Sequence, residues 1–150
     1  MWRTAACRAS ALRFAAPRRT LAVPAVGAKG AASKTVTDAV TAKSVGSGSM
    51  EVFGTPAMIA LMEEAACAAC TPTLAATETT VGTKVEIVHL KCTPLGMGVR
   101  AEATVTAVKG NFMTFDVVAF DDKEKIGQGT HQRALVPFAP FFEACVKKGA

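Results

Sequence analysis

Thr55-Pro56-Ala57-Met58-Ile59-Ala60-Leu61-Met62-Glu63-Glu64-Ala65-Ala66-Cys67-Ala68-Ala69-Cys70 is a run of helix-forming residues with hardly a polar side chain. Thr55 is a favourable N-cap, Pro56 suits the first helical position, and Pro72 ends the run. A helix apolar on nearly every side is normally taken into a core. Ionised carboxylates almost never stay there unpaired. At least one of Glu63 and Glu64 therefore needs a partner; they point about 100° apart on a helix, so the other is free to face water. The chain has only two histidines, and His89 falls on the apolar face of a predicted strand. A greasy helix carrying a carboxylate, opposed by a strand carrying a histidine, is a candidate catalytic site.

Four strand-like runs follow this helix. Residues 77–91 place Val81, Thr83, Val85, Ile87 and His89 on one face, with Thr80, Lys84 and Glu86 on the other. Residues 97–109 set Val99, Ala101, Ala103, Val105 and Ala107 opposite Arg100, Glu102, Thr104 and Thr106. Gly110-Asn111 predicts a two-residue hairpin turn into 112–120, and a charged turn at Asp121–Lys125 leads to 126–136. Ahead of the helix, residues 34–41 alternate and predict a first strand, and Gly46-Ser47-Gly48-Ser49 predicts a flexible linker. Phe138, Phe141, Phe142 and Cys145 recur at helical spacing and predict a short packing helix at the end. The order is α+β: one antiparallel sheet wrapped around one apolar helix. Such a sheet has two edges to protect, and pairing into a dimer is a natural solution.

At 150 residues the chain is a single domain with enough length for a core. Its net charge of +5 is uneven. Residues 1–37 hold Arg3, Arg8, Arg13, Arg18, Arg19, Lys29 and Lys34 and no acid, so the remainder is slightly acidic. The basic balance therefore gives no support for nucleic-acid binding. The leader is arginine- and alanine-rich and acid-free, with apolar runs too short to span a membrane and no continuous apolar segment of a secretory signal. It reads as an organellar transit peptide, mitochondrial first and plastid as the alternative, which divides the chain into a disordered leader, 1–35, and a domain, 36–150. Cys67-x-x-Cys70 lies late in the helix, where the dipole disfavours a thiolate, so buried structural thiols are expected rather than a redox pair. No second pair completes a zinc site.

Phe53-Gly54-Thr55-Pro56-Ala57-Met58-Ile59-Ala60-Leu61-Met62-Glu63-Glu64-Ala65-Ala66 resembles the helix of hotdog-fold thioesterases of the fluoroacetyl-CoA thioesterase-like family. Thr79–Leu90 resembles that family's next strand, and Thr93-Pro94-Leu95-Gly96-Met97 and Ile126–Ala134 its later motifs. The resemblance spans about residues 36–136. It implies a hotdog fold, a dimer or dimer of dimers with sites at the subunit interface, and hydrolysis of a small or medium acyl-CoA to free acid and CoA. CoA enters as part of the substrate, with no separate cofactor and no metal. The family's catalytic threonine, glutamate and histidine fall on Thr55, Glu63 and His89, and the glycine whose N–H polarises the thioester carbonyl falls on Gly82. Fluoroacetyl specificity is not implied, because residues 44–53 are glycine- and serine-rich rather than a bulky apolar lid.

These residues suit the chemistry. A thioester needs a nucleophile, a base and a donor for the developing oxyanion. A histidine titrates near neutrality and suits proton transfer. Glu63 can orient an imidazolium or attack directly, and Thr55 can attack or position a water. His131 and Arg133 share a strand face by parity and are candidates for CoA phosphates. Each has a plainer alternative: a capping threonine, a satisfied core histidine, a glycine at a bulge or close contact, and solvated decoration for His131 and Arg133. Thr55 and Glu63 are separated by roughly 12 Å along a straight helix, so they meet one substrate only across a subunit interface or through a bent entry loop. The competing function is a non-catalytic acyl-CoA-binding or regulatory hotdog protein. A hotdog hydratase lacks its Asp/His signature here.

Overall fold

The computed structural model describes residues 22–149, so most of the basic leader lies outside the described residues. The elements run β1 (Lys29–Thr35), α1 (Thr55–Cys70), β2 (Glu78–His89), β3 (Gly98–Lys109), β4 (Phe112–Asp121), β5 (Lys125–Pro137) and α2 (Phe138–Val146). The five strands form one antiparallel sheet in the order β1-β3-β4-β5-β2. Helix α1 lies against it, the hotdog arrangement expected from the sequence.

Burial along α1 repeats every four residues. Ala57, Met58, Leu61, Met62, Ala65, Ala66, Ala69 and Cys70 are buried, while Ala60, Glu64 and Ala68 form an exposed stripe. The helix is thus covered on most sides but not all. Small residues bring it close to the sheet: a Cβ on Gly30 of β1 would collide with the Ala65 carbonyl and the Ala69 amide. Val99, Ala101, Ala103 and Val105 of β3 and Phe115 and Val117 of β4 complete the core.

The first strand is Lys29–Thr35, not 34–41; Asp38–Val40 is a 3-10 turn. The packed domain therefore includes residues assigned to the leader. Lys29–Thr35 has little alternation of apolar and polar groups, and it is chosen because Gly30 and Ala32 let α1 approach. The 46–49 stretch is not a loose linker either. Ala42 N–H donates to the Val52 carbonyl and Ser47 N–H to the Ala42 carbonyl. The expected packing helix forms as α2 but buries none of its residues; Phe138, Phe141 and Phe142 remain exposed.

Two β-bulges alter the expected faces. On β3 the register slips between Val105 and Ala107, so Ala107 is exposed and Val108 packs on the core. On β2, Gly82 pairs with Arg133 and Lys84 with Gln132, leaving Thr83 as the extra residue. Even positions 80 and 82 face the helix before the bulge, and odd positions 85, 87 and 89 share the helix-facing side after it.

Candidate active site

Helix α1 begins at Thr55, and the N-cap is Gly54, with no side-chain cap. The threonine hydroxyl is therefore free for another partner. Thr55 Oγ1 lies 2.7 Å from His89 Nδ1, at the far end of β2. His89 Nε2 is buried and has no hydrogen-bond partner among the described residues. The pair opens into a depression of ≈ 340 Å³ lined also by Ala42, Ser47, Phe53, Lys91 and Cys92. The ordered 42–53 loop brings Ser47 and Phe53 to its wall, so loop and helix entry together build the pocket. The capping role expected for Thr55 is thus corrected.

Glu63 sits two turns further along α1, and its partner is not His89. Its Oε1 lies 3.4 Å from His131 Nε2 and 3.8 Å from Arg133 Nη1. The Glu63 side chain is 39% exposed, whereas His131 and Arg133 are buried at 1% and 6%. Parity on β5 correctly put His131 and Arg133 on one face. That face is the inner one, so both side chains are buried and neither is a solvated decoration. Glu64 turns outward to a pair with half-buried Lys34 at 3.2 Å.

The buried polar pair is fully engaged. Arg133 Nε donates to Thr80 Oγ1 at 3.0 Å and Nη2 to the Thr80 carbonyl at 2.9 Å. Its Nη1 lies 3.2 Å from His131 Nε2, and His131 Nδ1 lies 2.9 Å from the Lys84 carbonyl. A carbonyl only accepts, so Nδ1 carries the proton and Nε2 accepts from the guanidinium. Burial holds the His131 pKa below the ordinary histidine value; the Lys84 carbonyl and Glu63 act to raise it and Arg133 to lower it, leaving the neutral form favoured. Thr80 gave no signal in the sequence, because the uninterrupted alternation put it on the outer face.

Gly82 stands against Glu63 rather than against Thr55. A Cβ there would collide with Glu63 Oε1 and approach His131 Cε1 at 3.3 Å. One protomer thus holds two groups of candidate residues: Thr55 with His89, and Glu63 with Gly82, His131 and Arg133. Gly82 and His89 are about 20 Å apart along β2. Cys67 and Cys70 are free thiols, and burial pushes the Cys70 thiol pKa up, as a structural cysteine requires.

The sequence model for the fluoroacetyl-CoA-specific thioesterase family, FlK, matches residues 36–139. The fluoroacetyl-CoA thioesterase of Streptantibioticus cattleyicolor is 37% identical over 91 residues, 61% of this chain and 66% of that protein. The match thus spans just under two thirds of that relative. Among solved structures, a threonine-to-serine variant of FlK in complex with acetyl-CoA has a TM-score of 0.79 at 30% identity, covering 84% of this chain and 99% of that one. A thioesterase superfamily member from Thermus thermophilus has a TM-score of 0.73 at 28% identity, covering 83% and 91%.

Proposed function

The chain belongs to the fluoroacetyl-CoA-specific thioesterase family, and on that footing we propose that it hydrolyses a small or medium acyl-CoA to the free acid and CoA through Thr55, His89 and Glu63. The observation that carries the reading is the Thr55–His89 contact at 2.7 Å beside a buried, unpartnered Nε2. With Nδ1 accepting from the threonine hydroxyl, His89 takes up that proton as Thr55 Oγ1 attacks the thioester or activates a water. CoA arrives as part of the substrate, and no other cofactor is needed.

The site is shared between two copies of the chain. β2 is an edge strand of 12 residues with Val85 and Val88 exposed, the kind of edge that pairing protects. Antiparallel pairing of two β2 strands centred on Glu86 sets Val85 opposite the partner's Ile87 and, skipping the bulged Thr83, Gly82 opposite the partner's His89. Both then face the helix side, which they would not do without the bulge. Each dimer site combines Thr55 and His89 of one subunit with Glu63 and Gly82 of the other.

Free-thiol release from a panel of acyl-CoAs, by residues 22–150 and its His89→Ala and Glu63→Ala variants, tests the activity. Turnover of short acyl-CoAs is expected, reduced in each variant by about 10²–10⁴-fold. No turnover on any thioester would favour the acyl-CoA-binding alternative, and undiminished turnover in both variants would refute the site.

A further inference from the structure

We infer that His131 is a positioning residue: its Nε2 lone pair fixes the Arg133 guanidinium that in turn holds Glu63 Oε1, leaving the second carboxylate oxygen for the substrate. The inference rests on Glu63 serving thioester hydrolysis. It concerns a residue that neither attacks nor binds the acyl-CoA.

The geometry accounts for three nitrogens of the guanidinium. Arg133 is 6% exposed, and a cation that is so deeply placed needs hydrogen-bond acceptors and a counter-charge nearby. Thr80 takes the Nε and Nη2 hydrogens, and His131 Nε2 takes one from Nη1. Glu63 Oε1 lies 3.8 Å from Nη1, an ion-pair separation that supplies the counter-charge. His131 can accept only because the Lys84 carbonyl captures its other nitrogen as Nδ1–H. The chain of restraint runs from the Lys84 carbonyl through His131 and Arg133 to Glu63. The charged or titratable groups facing this cluster are Glu63 and Cys70 from α1 and Arg133 from β5, with the Cys70 thiol kept neutral by burial. Gly82 completes the seat, since any side chain there would displace the carboxylate.

A packing role and a positioning role predict opposite orders for two substitutions. His131→Leu keeps apolar volume and loses the acceptor; His131→Gln offers an amide oxygen to Arg133 and is the poorer filler of an apolar site. The expected result is that His131→Gln keeps kcat within about threefold, while His131→Leu loses ~10–100-fold with KM little changed, the cost of a loosened catalytic group. Melting curves and circular dichroism on both variants establish folding. Turnover of His131→Leu equal to wild type, or equal losses in both variants that track their melting temperatures, would overturn the inference. If His131→Leu does not fold, Arg133→Lys supplies the measurement: it keeps the charge without three anchored nitrogens, and undiminished kcat there would be equally fatal. Glu63→Gln runs alongside. Full turnover of that variant would refute the assignment of Glu63 itself, whereas an inactive Glu63→Gln beside a fully active His131→Leu would refute only the positioning role.

Discussion

Thr55 opens α1 without capping it, and that single difference leaves its hydroxyl free to meet His89 Nδ1 at 2.7 Å. The sequence pattern suits a capping threonine as well as a catalytic one. The two part only when β2 delivers His89 to its hydroxyl. Glu63 and Glu64 divide as their helical angle requires: one toward the buried cation, the other outward to half-buried Lys34 in a pair that contributes little to stability. His131 carries a consequence that can be measured without substrate. Its folded-state pKa lies below the ordinary value near 6.5, so as pH falls through about 6.5 the unfolded chain takes up the proton first. Stability is therefore full above that pH and declines as the pH falls toward the folded-state pKa. Denaturation midpoints measured from pH 8 to pH 5 should show this fall in the wild type and a flatter slope in His131→Gln. Parallel slopes for the two proteins would remove His131 as the source.

Elements were legible where periodicity is strong and uninterrupted. Helix α1, the four later strands and the Gly110-Asn111 turn stand within a residue or two of where the pattern sets them. Three features escaped it for physical reasons. A bulge is an excess of one residue relative to a neighbouring strand, so Thr83 and the slip after Val105 leave no mark on their own strand's sequence. Parity groups His131 with Arg133 but does not choose the inner face; the curl of the sheet around α1 does. Strand β1 carries glycine, alanine and serine in place of an apolar alternation, because its task is close approach. That task yields a prediction: Gly30→Val drives a branched side chain into the α1 backbone at Ala65 and Ala69. It should cost about 1–3 kcal/mol or more, read as a lower midpoint in chemical denaturation. A midpoint unchanged from wild type would show that the helix does not sit on β1 as described.

At the scale of the whole molecule, the proposed site brings the two groups of candidate residues together through two subunits. In one protomer the carboxylate and the threonine–histidine pair lie at different places on α1 and β2, and the extra residue Thr83 turns Gly82 and His89 to the same side of the sheet. The family resemblance named the residues from sequence, and helix rise alone predicted that Thr55 and Glu63 could not touch within one helix. What sequence did not carry was the buried cation beside Glu63 and the bulge that turns Gly82 and His89 to one face. The direct measurement is subunit mixing: Thr55→Ala and Glu63→Gln proteins, each inactive, are unfolded together, refolded and assayed for CoA release. A site shared across a two-fold interface has one intact copy in every mixed dimer, so activity should return to about a quarter of wild type. A mixture as inactive as its separate components, with mixed dimers demonstrated by mass, would contradict the shared site.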